Sequence, residues 1–165
     1  MLWLRGLHDH PEAFTSAFEE EKEHALTQMS ARLAAGSPTR MWGAFSGTEL
    51  VGVFGSNRET RSKGKHKADL IGMYVVPEFA GRGIGHALVD AVVRDARQDG
   101  ITLLVLTVTV GNAKARALYT RVGFQSMGVE PDAIRVNDVS YGKEHLYLQL
   151  VASVPASSVP ARQAG

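Results

Sequence analysis

Apolar residues recur at helical spacing through the first part of the chain. Phe14 and Phe18 are four apart, and Leu26, Met29 and Leu33 keep the rhythm, so residues 1–36 read as helical. The run Glu19-Glu20-Glu21-Lys22-Glu23 interrupts the pattern, as a solvated face or as a break between two helices, and Gly36-Ser37-Pro38 stops it. The period then shortens. Met41–Phe45 and Leu50–Gly55 are strand-like, joined by a hairpin turn at Ser46-Gly47-Thr48-Glu49. The polar stretch from Asn57 to Lys67 carries Arg58, Arg61, Lys63, Lys65, His66 and Lys67, and reads as a solvated loop or a phosphate-facing rim. Leu70–Val76 is a third strand, ended by Pro77. Ile84, Leu88, Val92 and Ala96 form one face of a helix running from Gly83 to Gly100. Ile101–Val110 is rich in β-branched residues and is predicted to be a strand buried on both faces. Asn112 as N-cap and Gly123 past the end bracket a further helix. Phe124–Val129 and His145–Val151 read as the last strands, with 130–144 as a long polar connection. Residues 152–165, mostly Ala, Ser, Pro and Val, are expected to be a disordered tail on one domain spanning 1–151.

Composition narrows the chemistry. The 165 residues suit one domain, and with no cysteine there is no disulfide, zinc–thiolate site or cysteine nucleophile. The charge is nearly balanced, with 18 basic and 17 acidic residues, which argues against a general nucleic-acid binder. No apolar run reaches the length of a membrane span, and the segment Met1–Pro11 lacks the apolar centre of a signal peptide. A cytoplasmic protein with no membrane partner and no metal is the expectation.

The most informative stretch runs from Tyr74 to His86. It is a strand, a short loop holding Gly81, Gly83 and Gly85, and a helix start. Glycines there let a ligand approach the backbone, and the free N–H groups of a helix start suit a phosphate or pyrophosphate. Arg82 is placed to add a charge-assisted contact. A P-loop would need Lys-Ser/Thr after the last glycine, where His86-Ala87 stand. A Rossmann turn would need glycine at 86, or glycine or alanine at 88, where His86 and Leu88 stand. Alone, the turn says only that the ligand is pyrophosphate-like.

A second constellation follows the long strand: Asn112-Ala113-Lys114-Ala115-Arg116-Ala117-Leu118-Tyr119, closing on Gly123-Phe124. Ala115, Leu118 and Val122 share a helix face, with Tyr119 one residue off it. Tyr119 alone reads equally as an amphipathic residue at a core edge. Together the two motifs resemble those of the GNAT superfamily of N-acetyltransferases. The family's turn, Arg/Gln-x-x-Gly-x-Gly/Ala, aligns with Ala80-Gly81-Arg82-Gly83-Ile84-Gly85, and its Asn-x-x-Ala-x-x-Leu-Tyr-x-x-x-Gly-Phe with Asn112 to Phe124. The resemblance covers Phe14 to Leu150.

The resemblance implies an α/β single domain, with a mixed, twisted sheet of about six strands flanked by helices. It implies an acetyl-CoA cleft between two splayed parallel strands, Leu70–Val76 and Ile101–Val110. Backbone groups of Met73, Tyr74 and Val75 would pair with the pantetheine arm. Amides from Gly81 through Arg82, Gly83, Ile84 and Gly85 to His86 would hold the pyrophosphate. Asn112 would meet the pantetheine region and Tyr119 the sulfur. A neutral primary amine would attack the thioester directly. A backbone N–H near Met73–Val75 would stabilise the oxyanion, and Tyr119 would hydrogen-bond the departing thiolate. Asp69, Glu78, Glu144 and His145 are candidates by type for the base, with Glu144 favoured because the last strands border the acceptor side. A water chain is the alternative.

The expected acceptor is a small molecule, with a protein N-terminus or lysine as the enzymatic alternative. A non-catalytic CoA-binding sensor is the alternative of another class. A homodimer is compatible with the resemblance. Two departures stand out. Ala80 replaces the family's Arg or Gln, which removes a stabilising side chain at the turn. The family also usually opens with a strand, whereas here a helical pattern comes first, with Leu2, Trp3 and Leu4 as a remnant of that strand or Met1 as a late start.

Overall fold

The computed structural model describes residues 2–150. The expected tail, 152–165, lies outside them. The helical opening is divided. It comprises α1 (Leu2–Asp9), a single 3-10 turn (Pro11–Ala13), α2 (Phe18–Lys22) and α3 (Ala25–Leu33). Pro11 and the extended Phe14 break the first helix from the next. The acidic run sits on α2, where Glu21 is buried and its neighbours are exposed. Leu2, Trp3 and Leu4, considered above as a strand remnant, are helical.

Six strands follow: β1 (Thr39–Ser46), β2 (Glu49–Arg58), β3 (Lys67–Val75), β4 (Leu103–Thr109), β5 (Gln125–Val136) and β6 (Val139–Gln149). They form one mixed sheet in the order β1-β2-β3-β4-β6-β5. Helix α4 (Ile84–Gln98) makes the crossover from β3 to its parallel neighbour β4, and α5 (Ala113–Val122) links β4 to β5. The apolar stripe of α4 is wider than the four-residue face suggests. Leu88, Val89, Val92, Val93 and Ala96 are all buried against Phe54, Leu104, Leu106 and Leu146. A second cluster joins Val51, Tyr74 and Val76 and is covered by Leu2 of α1 and by Phe14.

Two expectations change. β4 is not buried on both faces: Leu104, Leu106 and Val108 are, whereas Leu103 and Val105 are half-buried and Thr107 is exposed. Residues 130–144 are not a connection but most of the β5–β6 hairpin, turned tightly at Asn137 and Asp138. Both turn residues have left-handed backbones (φ 48° and 64°), which Asn and Asp tolerate better than other non-glycine residues. β5 is an edge strand exposed along most of its length, so it carries no apolar alternation to reveal it. Among the described residues, no helix is long and apolar enough to cross a membrane.

Candidate functional site

The site begins with a defect in the ladder. β3 pairs with β4 only through Lys67, Asp69 and the residue between them, set against Leu103–Val105. Beyond that the two parallel strands have no partner in each other. On its other side β3 remains paired with β2 as far as Val75, but the register slips: Gly55 faces Ile71 while Val53 faces Tyr74. The extra residue on β3 is a bulge, and Gly72 within it has φ +68°. Trp3 of α1 packs so close that a Cβ on Gly72 would lie 2.8 Å from its ring. Val76 N–H donates to Val51 O on the β2 side. By strand alternation Val75 N–H faces the other way, into the gap. The bulge and splay thus create an unpaired strand edge inside the molecule.

The glycine turn closes one end of the gap. A 3-10 turn at Pro77–Phe79 leads into Gly81 (φ +76°) and Gly83 (φ +79°), and Gly83 caps α4 in the left-handed conformation. Nothing lies within 4 Å of where a Cβ would stand on either glycine. The first intrahelical bond to that cap is Ala87 N–H to Gly83 O, so the amides of Ile84, Gly85 and His86 have no helical acceptor. Gly85 serves packing instead: a Cβ there would approach Leu118 Cδ2 to 3.3 Å. The Arg82 guanidinium lies over the Phe79 ring, 4.7 Å from its centroid, and His86 faces Asp90.

α5 forms the opposite wall. Asn112 caps it, its side-chain oxygen accepting from Ala115 N–H at 3.1 Å. Gly123 (φ +110°) ends it, with Phe124 N–H reaching back to Tyr119 O. Tyr119 is 5% exposed and packs edge-on against Phe124. Burial alone pushes its phenol well above the usual value, so the hydroxyl stays protonated and acts as a donor.

Two cavities meet at the splay. The larger, about 820 Å³, runs along Met73, Tyr74 and Val75 to Gly81, Gly83, Ile84 and Gly85. The smaller, about 290 Å³, lies between Ile71–Met73 and Leu106–Thr109 and reaches Tyr119. Met73, Thr109, Asn112 and Ala115 line both. Ala80 lines the larger one, while the side chains of Arg82 and His86 line neither.

The carboxylates considered as bases fall elsewhere. Glu144 accepts from Arg116 Nε at 2.8 Å, and that guanidinium holds its carboxyl below the ordinary range. Glu144 lines neither cavity. Glu78 pairs with Arg5 at 2.7 Å and His145 with Glu130 at 2.9 Å. Burial raises the carboxyl of Asp69, which stands where β3 and β4 are still paired, away from both cavities. The basic stretch after Asn57 is partly neutralised: Arg58 pairs with Asp95 and Asp99, and Arg61 with Glu59.

Sequence reasoning missed Lys143. It is 4% exposed, lines the smaller cavity, and donates to Thr109 Oγ1 at 2.9 Å and Ala13 O at 3.2 Å. Desolvation pushes its ammonium below the usual value. Strand alternation puts it on the face opposite Glu144, a signal available only once β6 is recognised as a strand. Among the described residues, no group of three or more His, Asp or Glu side chains is placed to hold a metal ion.

Known proteins are similar to this chain in sequence and in fold. The acetyltransferase (GNAT) family model matches residues 3–124. Rat N-acetyltransferase 8B is 36% identical over 89 residues, covering 53% of this chain and 40% of the relative. N-alpha-acetyltransferase RimI of Mycobacterium tuberculosis is 38% identical over 96 residues, 58% of each chain. The matches therefore span less than two thirds of either relative's length. The crystal structure of a GCN5-related N-acetyltransferase from Kribbella flavida superposes with a TM-score of 0.73 at 22% identity, covering 89% of this chain and 88% of that one. With more than half of its length matched by the family model, the chain belongs to the acetyltransferase (GNAT) family.

Proposed function

We propose that this family member transfers an acetyl group from acetyl-CoA to the primary amine of a small molecule. One observation carries the reading: an unpaired strand edge at Met73–Val75 opens onto the larger cavity, which ends at a glycine turn with free amides. An extended ligand with amide groups in its arm and a pyrophosphate at its end matches both features. The residues fit it, since Gly81 and Gly83 leave open space where side chains would block a phosphate.

In this reading the backbone of Met73, Tyr74 and Val75 binds the pantetheine arm as an added strand would. The amides from Gly81 to His86 take the pyrophosphate. Asn112, already fixed as a helix cap, bounds the pantetheine where the cavities meet. Acetyl-CoA supplies an activated acetyl thioester, whose C–S bond is exchanged for an N–C bond to the acceptor with release of the thiol. Tyr119 donates a hydrogen bond at the sulfur. A thiol with an ordinary value near 8.5 is a stronger acid than this phenol, so full proton transfer from Tyr119 is unfavourable and donation is its role. Glu144 takes no part, being held by Arg116 outside both cavities. A water chain through the smaller cavity carries away the amine proton.

The smaller cavity, at the lower end of the usual range for small-ligand sites, is the place for the acceptor. The mycobacterial relative's name favours a second reading, acetylation of a protein N-terminus. Calorimetric titration with acetyl-CoA, with NAD and ATP as controls, tests the binding reading. One-site binding of acetyl-CoA alone is expected. Thiol release is then followed with small amines and with peptides. Release with small amines supports this proposal, and release with peptides only favours the second reading. Binding without release from any acceptor makes the protein a sensor, and absence of binding sinks the proposal.

A further inference from the structure

Lys143 is a buried cation with no anion in direct contact. Among the described residues it forms no ion pair; its partners are the Thr109 hydroxyl and the Ala13 carbonyl. Thr109 Oγ1 itself donates to Glu12 O at 2.7 Å, so its hydrogen is committed and it can only accept from the lysine. An ammonium has three N–H donors and these are two acceptors, so one donor of Lys143, which lines the smaller cavity, is left over. Arg32 lines the same cavity, its guanidinium over the Trp3 ring at 5.7 Å. Among the described residues Arg32 also has no carboxylate partner. No Asp or Glu lines the smaller cavity; the acid whose charge bears on Lys143, Glu12, lines the larger one.

Burying a charge without a counter-charge is costly, and the cost is offset when a ligand brings the missing anion. A small cavity with two cations and no acid also selects by sign: it repels polyamines and attracts carboxylates. Resting on the acetyl-transfer reading above, we infer that the acceptor is a small amine carrying its own carboxylate, held by the free donor of Lys143 and by Arg32. The same cations disfavour the ammonium form of the bound amine, which helps it to arrive as the neutral nucleophile. Lys143 and Arg32 are thus specificity-determining residues for the acceptor.

Matched acceptors test the assignment: an α-amino acid, its primary amide, and the amine lacking the carboxyl carbon. Thiol release from acetyl-CoA gives kcat/KM for each. The carboxylate form is expected to exceed both neutral forms by about tenfold or more, chiefly through KM. Lys143→Met, which keeps the length of the side chain without its charge, should bring the ratio close to one. Arg32→Gln, on a half-exposed side chain, should lower the ratio and serves if Lys143→Met does not fold. A second measurement is independent of turnover: calorimetric titration of the protein alone with the N-acetylated amino acid and with its amide. Binding of the carboxylate form only, lost in the variant, supports the site even if acetyl-CoA is not bound and the transfer reading fails. Equal rates for the three acceptors, a preference for neutral amines or peptides, an unchanged ratio in both variants, or failure of the carboxylate to bind when no acceptor turns over would each overturn it.

Discussion

Tyr119 answers to a single influence, burial, and that decides both its chemistry and its effect on stability. A phenol held neutral donates a hydrogen bond but releases its proton reluctantly. Tyr119→Phe removes the donor and keeps the ring packed against Phe124 and Phe54. Turnover should fall by about 10²-fold, the lower end of the range for positioned acids, while acetyl-CoA affinity changes little; steady-state kinetics and calorimetry on the same preparation check this. The variant also reports on alkaline stability. The folded value lies above the unfolded value of 10.0, so above that pH the folded chain keeps a proton the unfolded chain has lost. Stability therefore falls as pH rises through that region, and the phenylalanine variant lacks this contribution. Urea unfolding about one unit either side of the unfolded value should show the wild type losing more stability than Tyr119→Phe. An equal loss would mean that the phenol is not shielded from water.

Gly72 in the bulge and Gly83 at the helix cap are both left-handed but do different work, and a methyl group tells them apart. At Gly83 there is open space, so Gly83→Ala costs only the strained backbone, about 1–2 kcal/mol. Its larger effect should be on acetyl-CoA affinity, because the methyl stands where a phosphate would approach the amides. Gly72→Ala meets the same strain and also the Trp3 ring at 2.8 Å, which adds about 1–3 kcal/mol for overpacking. Denaturant melts and calorimetry on both variants should show the Gly72 change as the larger stability loss and the Gly83 change as the larger affinity loss per unit of stability. Elements of this kind were legible in the sequence because they make local demands on the backbone. Asn112 as a cap, Gly123 as a stop and the glycine turn each need a particular residue type. The β5–β6 hairpin makes such a demand only at its two-residue turn. Its turn uses Asn137-Asp138 without glycine, and Asp132 (φ 51°) with Pro131 interrupts β5 where its register slips. Lys143 was hidden with it, since a lysine in a supposed polar loop is unremarkable, while the same lysine on a buried strand face is not.

Across the whole molecule the sheet consists of two halves that share a three-residue parallel seam, reinforced by α4 where it packs on both. The resemblance to the family implies which strands flank the seam. It does not show how far their pairing runs, because the pairing ends near a bulge against which α1 packs at Gly72 and Tyr74, a long-range contact with no local signature. A ligand lying in the gap would bridge the halves. Because it would bind the folded chain and not the unfolded one, it should stabilise the protein by about 2.7 kcal/mol at a hundred times its dissociation constant. For a chain of this size that is a rise of about 5–10 °C in Tm. The location of the gain distinguishes a bridging ligand from a peripheral one. Hydrogen exchange should slow at Met73–Val75, whose outward amides have no strand partner, and at Ile84–His86, whose amides have no helical acceptor. It should change least at Lys67–Asp69, where the seam is already paired. Protection confined to the glycine turn would mean that the pyrophosphate binds but the arm does not enter the gap. The splay would then be a feature of the fold rather than the seat of the reaction.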